Sequence, residues 1–210
     1  MFKNLLKKLV VFVVIYKNSE VNMIEVTVQV FEELEIAQEK LKNMGFEMLE
    51  KYTMEDSYFS RFDMEEIKIL DFATLSKNSV LIRKILNDHP VNYFIYKNKS
   101  FDENGDVMNE EKVRTKVSEP EIIKVILGNA NLCNYANFRT DIYVYKKEDI
   151  IFTLQDVENL GVFIEYEEDN TMENLQSEQK RALIISRLKE LGLNLGEDFN
   201  CKKVYMIIHK

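Results

Sequence analysis

The stretch Ile24-Glu25-Val26-Thr27-Val28-Gln29-Val30 alternates apolar and polar residues without a break. Side chains on a strand project to opposite faces in turn, so Glu25, Thr27 and Gln29 share one face and the valines the other. The pattern returns near the other end of the chain, where Phe163-Ile164-Glu165-Tyr166-Glu167 puts two carboxylates on one face. Arg83, Lys97 and Arg139 lie between them, each in or beside a strand-like run. Two arrangements satisfy such a pattern. Polar faces turned inward enclose acids and bases around a wet cavity, an arrangement suited to gripping a polyphosphate and its metal ion. Turned outward, they are a solvated surface, and alternation by itself does not choose.

Composition narrows the classes. The chain of 210 residues is 46% hydrophobic, enough to bury a sizeable core without disulfides. Its net charge of -8 argues against general affinity for nucleic acid, which needs a basic face to release counterions. A small anionic ligand stays compatible, because a local basic cluster can sit inside an acidic protein. The two cysteines, Cys133 and Cys201, form no CxxC or Cys/His spacing, and the only histidines are His89 and His209. Neither a structural zinc site nor a histidine-based metal site is expected.

The N-terminus reads in three ways. Lys7-Lys8 precedes the apolar run Leu9 to Tyr16, as in a signal peptide. The run is too short to span a bilayer as a helix, and Lys17-Asn18-Ser19-Glu20 follows in place of a small-residue cleavage site. It is a packed extra element, a weak membrane tether or a leader outside the folded unit. Residues 1–22 are therefore set apart as an extension of uncertain role. No membrane contact is expected through residues 9–16, and the expected location is cytoplasmic.

Two prolines, six glycines and no Ser- or Gly-rich linker favour one continuous domain over residues 23–210. The first strand, 23–30, runs into a helix carrying Leu34, Ala37, Leu41 and Met44, stopped by Gly45. Residues 46–50, 55–59, 80–83, 91–97, 139–145, 150–155 and 162–167 read as strands. Asp102-Glu103-Asn104-Gly105 and Glu158-Asn159-Leu160-Gly161 read as turns. Ser118-Glu119-Pro120-Glu121 has the form of a capping box opening a helix to Gly128. An amphipathic helix is expected from about Glu173 to Leu191, and the tail 203–208 reads as a strand or short helix. Residues 61–77 give no clear signal. Many strands with few helices between them indicate a largely antiparallel α+β fold.

The order of these pieces resembles the CYTH family of triphosphate tunnel enzymes, and within it class IV adenylyl cyclases and their relatives. The family opens on a strand with E-x-E-x-K, which here is Met23, Glu25 and Thr27. An acidic residue before Tyr-Phe is matched by Asp56-Ser57-Tyr58-Phe59. An L-R-I-R strand is matched by Val80-Leu81-Ile82-Arg83, and a T-Y-K strand by Ile95-Tyr96-Lys97. V-S-D-P before a helix is matched by Val117-Ser118-Glu119-Pro120. The strongest match is a basic strand followed by L-D-x-V-x-x-L-G-x-F-x-E-x-E. It corresponds to Arg139 and then the run from Leu154 to Glu167, with Gln155 in place of the aspartate.

That resemblance implies a closed or nearly closed antiparallel eight-stranded β-barrel with helices packed outside, whose lumen takes every second side chain. It implies a triphosphate or nucleoside triphosphate as ligand, and Mg²⁺ or Mn²⁺ as cofactor. It places phosphate contacts at Arg83, Lys97 and Arg139, with Arg114 and Lys116 as further candidates, and metal contacts at Glu25, Glu165 and Glu167. Lys and Arg neutralise phosphate oxygens, and carboxylates suit a hard cation. The reaction it implies is cyclisation to a cyclic nucleotide or triphosphate hydrolysis. A homodimer is an expectation from the class IV resemblance alone. Met23, Thr27 and Gln155 remove two carboxylates and one cation from the family pattern. The alternative is therefore a catalytically degenerate barrel that binds a phosphorylated ligand without turnover. A purely structural domain would bind no polyphosphate at all.

Overall fold

The structure is a computed structural model that describes residues 24–101 and 107–210. The extension 1–22, Met23 and the expected turn at 102–105 lie outside the described residues. Eight strands form one antiparallel sheet: β1 (Glu25–Val30), β2 (Glu47–Ser60), β3 (Asn78–Leu86), β4 (Val91–Phe101), β5 (Val107–Lys116), β6 (Cys133–Lys147), β7 (Ile150–Val157) and β8 (Gly161–Glu167). Their spatial order is β1-β8-β7-β6-β2-β3-β4-β5. The helices are α1 (Leu34–Asn43), α2 (Met64–Ile67), α3 (Phe72–Ser76), α4 (Pro120–Asn129), α5 (Ser177–Glu190) and α6 (Lys203–Ile208).

The sheet curls into a half-barrel and does not close. β1 and β5 are its two edges, and among the described residues no ladder joins them. The curl is carried by β2 and β6, 14 and 15 residues long, which pair along most of their length. Register shifts at Met48/Glu50 and Tyr58/Phe59 mark irregularities in that pairing, and such irregularities increase local twist. The two short strands expected at 46–50 and 55–59 are therefore one strand, β2. At the β7–β8 hairpin Asn159 and Gly161 both adopt positive φ, 63° and 96°, which the tight turn requires.

The convex face is buried under α1 and α5. Val26, Val28 and Val30 of β1 and Val162, Ile164 and Tyr166 of β8 pack with Ala37, Leu41, Ile184 and Leu188. The even-numbered apolar set of the alternation thus faces the helices, which sends Glu25, Thr27, Glu165 and Glu167 to the concave side. Tyr143 and Tyr145 also lie in this convex core. The apolar half of the concave side, with Tyr58, Leu81, Ile95, Phe138, Val157 and Phe163, is covered by α2, α3 and α6. The helix at 120 starts differently from the expectation. Glu119 is its N-cap without a side-chain cap bond, and Pro120 occupies the first turn, so the capping box does not form.

The segment after α5 positions the concave site. Gly192, at φ 62°, turns the chain. Residues 194–201 then run along the free edge of β1. Phe31 donates its N–H to Asn194, Gly196 to Gln29 and Cys201 to Thr27, at 2.8, 2.9 and 3.0 Å. An open strand edge exposes unpaired backbone groups, and this segment covers part of it. It also carries α6 across the concave side, where Tyr205 packs edge-on against Phe72 of α3.

Candidate polyphosphate and metal site

The concave side encloses a cavity of about 320 Å³, lined by charged residues from six strands and the start of α6. Strand pairing explains the acidic wall. Glu25 is opposite Glu167 and Thr27 opposite Glu165, and directly opposed residues share a face. Oxygen atoms of Glu25, Glu165 and Glu167 all lie within 4.8 Å of one another. Three carboxylates at that spacing are hard oxygen donors of the kind that hold Mg²⁺ or Mn²⁺, so the donor set fits such an ion. Thr27, at the family's lysine position, donates its hydroxyl to Glu25 at 3.4 Å.

The basic wall comes from β3, β4 and β5. Arg83 lines the cavity and is held by Asp56 in a bidentate pair, with Nε to Oδ1 at 2.8 Å and a terminal nitrogen to Oδ2 at 2.7 Å. Burial works against the guanidinium charge, but Asp56 outweighs it and holds Arg83 protonated, above its ordinary value. Lys97 and Lys99 project to the same face and share one carboxylate, Glu110, at 2.8 and 2.7 Å. Burial opposes the Glu110 charge, and the two lysines reverse this and hold its carboxyl at about 2. Lys97 is raised above its usual value: burial pulls it down and Glu110 more than restores it. Lys112, opposite Lys97, also lines the cavity.

Three of the expected phosphate contacts lie elsewhere. Arg139 is on the opposite face of β6 from the cavity-lining Phe138 and Ile142, because an odd step inverts the face. It is about half exposed and lies near Glu55 and Asp141, at 3.7 and 3.8 Å, on the outer surface. Arg114 and Lys116 share the strand face of Lys112 but fall further along β5. Arg114 stacks over Tyr93 at 5.3 Å, Lys116 is exposed, and neither lines the cavity. The structure therefore brings Glu25, Arg83, Lys97, Glu165 and Glu167 together and leaves Arg114, Lys116 and Arg139 out.

Two further cations arrive from the tail, and sequence reasoning missed both. Lys203 Nζ donates to Gln155 Oε1 at 2.5 Å and to Glu165 Oε2 at 2.7 Å. Burial pushes the Glu165 carboxyl up, but Lys203, followed by Lys97 and Arg83, holds it below the usual carboxylate range. Lys202 donates to Asn200 Oδ1 at 2.5 Å and lies over the Phe72 ring at 5.5 Å. Burial, then repulsion from Lys99, brings its ammonium down to about 8. Lys99 was legible, since it sits two residues from Lys97 on one strand. Lys112 and Glu110 depend on register across β4–β5, and Lys202 and Lys203 on the path of the tail, neither of which has a local signature.

No family model matches the chain. Among curated proteins, the "Putative adenylate cyclase" of Methanocaldococcus jannaschii is 28% identical over 188 residues, covering 88% of this chain and 97% of that protein. Among solved structures, a protein from Pyrococcus horikoshii OT3 superposes with a TM-score of 0.62 at 19% identity, covering 84% of this chain and 97% of the other. The "Putative adenylyl cyclase" of Hippeastrum, reported with a dominant triphosphatase activity, superposes with a TM-score of 0.59 at 15% identity, covering 89% and 94%. Identities this low among the solved structures speak for the fold, while the archaeal relative carries the likeness through nearly its whole sequence. Among the described residues no helix is long and apolar enough to cross a membrane.

Proposed function

We propose that this chain, which fits the CYTH family in its class IV adenylyl cyclase-like branch, takes a triphosphate group into the concave cavity and acts on it with a divalent cation. The reaction is hydrolysis of the triphosphate or cyclisation of a nucleoside triphosphate. The observation that carries the reading is the opposition of two walls in one cavity. Glu25, Glu165 and Glu167 stand on β1 and β8; Arg83, Lys97, Lys99 and Lys112 stand on β3, β4 and β5. A purely solvated surface has no reason to gather these groups around an arginine held by the buried carboxylate of Asp56.

The residues divide the work by charge. Arg83 is oriented by Asp56, and its remaining donors are available to phosphate oxygens in a fixed plane. Lys97 and Lys99 give up part of their contact with Glu110 when a polyanion enters, and the cavity limits the water that would screen the new contacts. Glu25, Glu165 and Glu167 would hold Mg²⁺ or Mn²⁺. The ion, when bound, would supply charge neutralisation at the phosphoryl oxygens. In phosphoryl chemistry the protein mainly positions groups and neutralises charge, which is what this set can do.

A second reading has one observation in its favour. Gln155 stands where the family pattern has an aspartate, and Lys203 already engages both Gln155 and Glu165. On that reading the cavity binds a phosphorylated ligand without turnover. Calorimetric titration of inorganic triphosphate and ATP, with Mg²⁺, with Mn²⁺ and with EDTA, followed by product analysis, separates the two. Binding with phosphate, pyrophosphate or cyclic nucleotide produced supports the enzyme, and binding without product supports the second reading. No saturable binding in any condition overturns both.

A further inference from the structure

Lys203 occupies a place in the acidic wall that a cation would otherwise take. Its ammonium lies 2.5 Å from the Gln155 oxygen and 2.7 Å from a Glu165 oxygen, and its side chain is 17% exposed. It is held there by backbone. Cys201, two residues earlier, donates its N–H to Thr27 of β1, the residue opposite Glu165. From Val204 onward α6 is packed into the apolar half of the concave side. An ammonium tethered between two such anchors is a built-in part of the wall.

We infer that Lys203 serves as a permanent second cation of the site, so that the three carboxylates take one divalent ion and no more. This rests on the triphosphate-and-metal reading above and deepens it. Gln155 lacks the charge that an aspartate would add there, and an amide oxygen is well matched to an N–H donor. Glu25, Glu165 and Glu167 bring their oxygens within 4.8 Å of one another, a cluster the size of one divalent-ion seat, and Lys203 holds the side of Glu165 that faces Gln155. A second ion seated between Gln155 and Glu165 would collide with the ammonium. Gln155 and Lys203 thus act as a pair, the amide oxygen and Glu165 together holding the ammonium where a second metal ion would have to sit.

The test counts Mn²⁺ bound per chain, by the loss of the free-ion electron paramagnetic resonance signal on titrating Mn²⁺ alone into the full chain. The parent and Gln155→Asp are each expected to bind one, because both keep the ammonium. Lys203→Arg keeps a cation and should also bind one. Lys203→Gln should still bind one, at least roughly tenfold more tightly, because a unit charge at contact distance is removed. Gln155→Asp combined with Lys203→Gln should bind two. Two ions in the parent, one in the double variant or none in the parent would each overturn the inference. Triphosphate titration of the parent in EDTA and in Mn²⁺ runs beside the count. Its failure would refute the triphosphate reading; with triphosphate still bound, two ions in the parent or one in the double variant refutes the role of Lys203 alone, and none in the parent refutes the metal seat on which that role rests.

Discussion

Glu110 is placed so that one substitution should move stability and ligand affinity in opposite directions. Its carboxylate bridges Lys97 and Lys99, its side chain is 19% exposed, and it is held at about 2 against an ordinary 4.5. Such a depression corresponds to roughly 3 kcal/mol of native-state stabilisation. The sign follows from the direction. A group depressed in the folded state contributes fully above 4.5, and the contribution is lost as pH falls through 4.5 toward 2. Glu110→Gln keeps the shape and removes the charge, so urea unfolding at pH 7 should show a loss of about 3 kcal/mol. The gap to the parent should shrink steadily as pH is lowered toward 2. The same change leaves two cations without their shared carboxylate, facing the cavity. Calorimetry in EDTA should then show inorganic triphosphate binding roughly tenfold more tightly, since a competing unit charge is gone. A variant that loses stability yet binds triphosphate no better, or less well, would refute the assignment of Lys97 and Lys99 to the ligand. Undiminished stability at pH 7 would refute the bridge itself.

Asp56→Ala leaves Arg83, whose side chain is one-fifth exposed at the cavity, without its buried carboxylate and should cost about 3 kcal/mol in urea unfolding at pH 7. Arg139→Ala should change triphosphate affinity by less than about twofold and stability by less than about 1 kcal/mol, because its ion pairs are on the outer surface. A large loss of binding there would contradict the outward placement. Burial holds Lys202 near 8, so a polyanion arriving beside it should raise it and draw in a proton. At pH 8, calorimetry in buffers of different ionisation enthalpy should show about half a proton more taken up by the parent than by Lys202→Met. Equal uptake would place Lys202 away from the ligand.

Much of this molecule was written in local pattern. The alternation in 24–30 and 163–167 was enough to divide each strand into two faces, because period-two geometry needs no partner. The antiparallel α+β class followed from the spacing of strands and turns, and the matched motifs were enough to name the acidic residues. What the pattern left open was which face turned inward. That was decided by α1 and α5, whose apolar stripes cover the valine side of β1 and β8 and leave the glutamates to the cavity. Arg139 shows the limit of motif matching: a basic residue in the right strand sits on the outer face because Phe138 and Ile142 take the inner one.

The sequence by itself determined most of the strands and which of their residues share a face, since both depend on residues close together in the chain; it did not mark β5, and Glu25 meets Glu165 and Glu167 only through the pairing of β1 with β8. Only the tertiary structure decided the rest. Lys97, Lys99 and Glu110 meet through the register of β4 on β5, and Arg83 and Asp56 through that of β3 on β2. Lys203 reaches Glu165, 38 residues away, because the segment before it hydrogen-bonds along the open edge of β1. Contacts of that kind are set by the path of the backbone after the sheet has curled. Ion pairs between distant residues have no period to read, so no local pattern announces them.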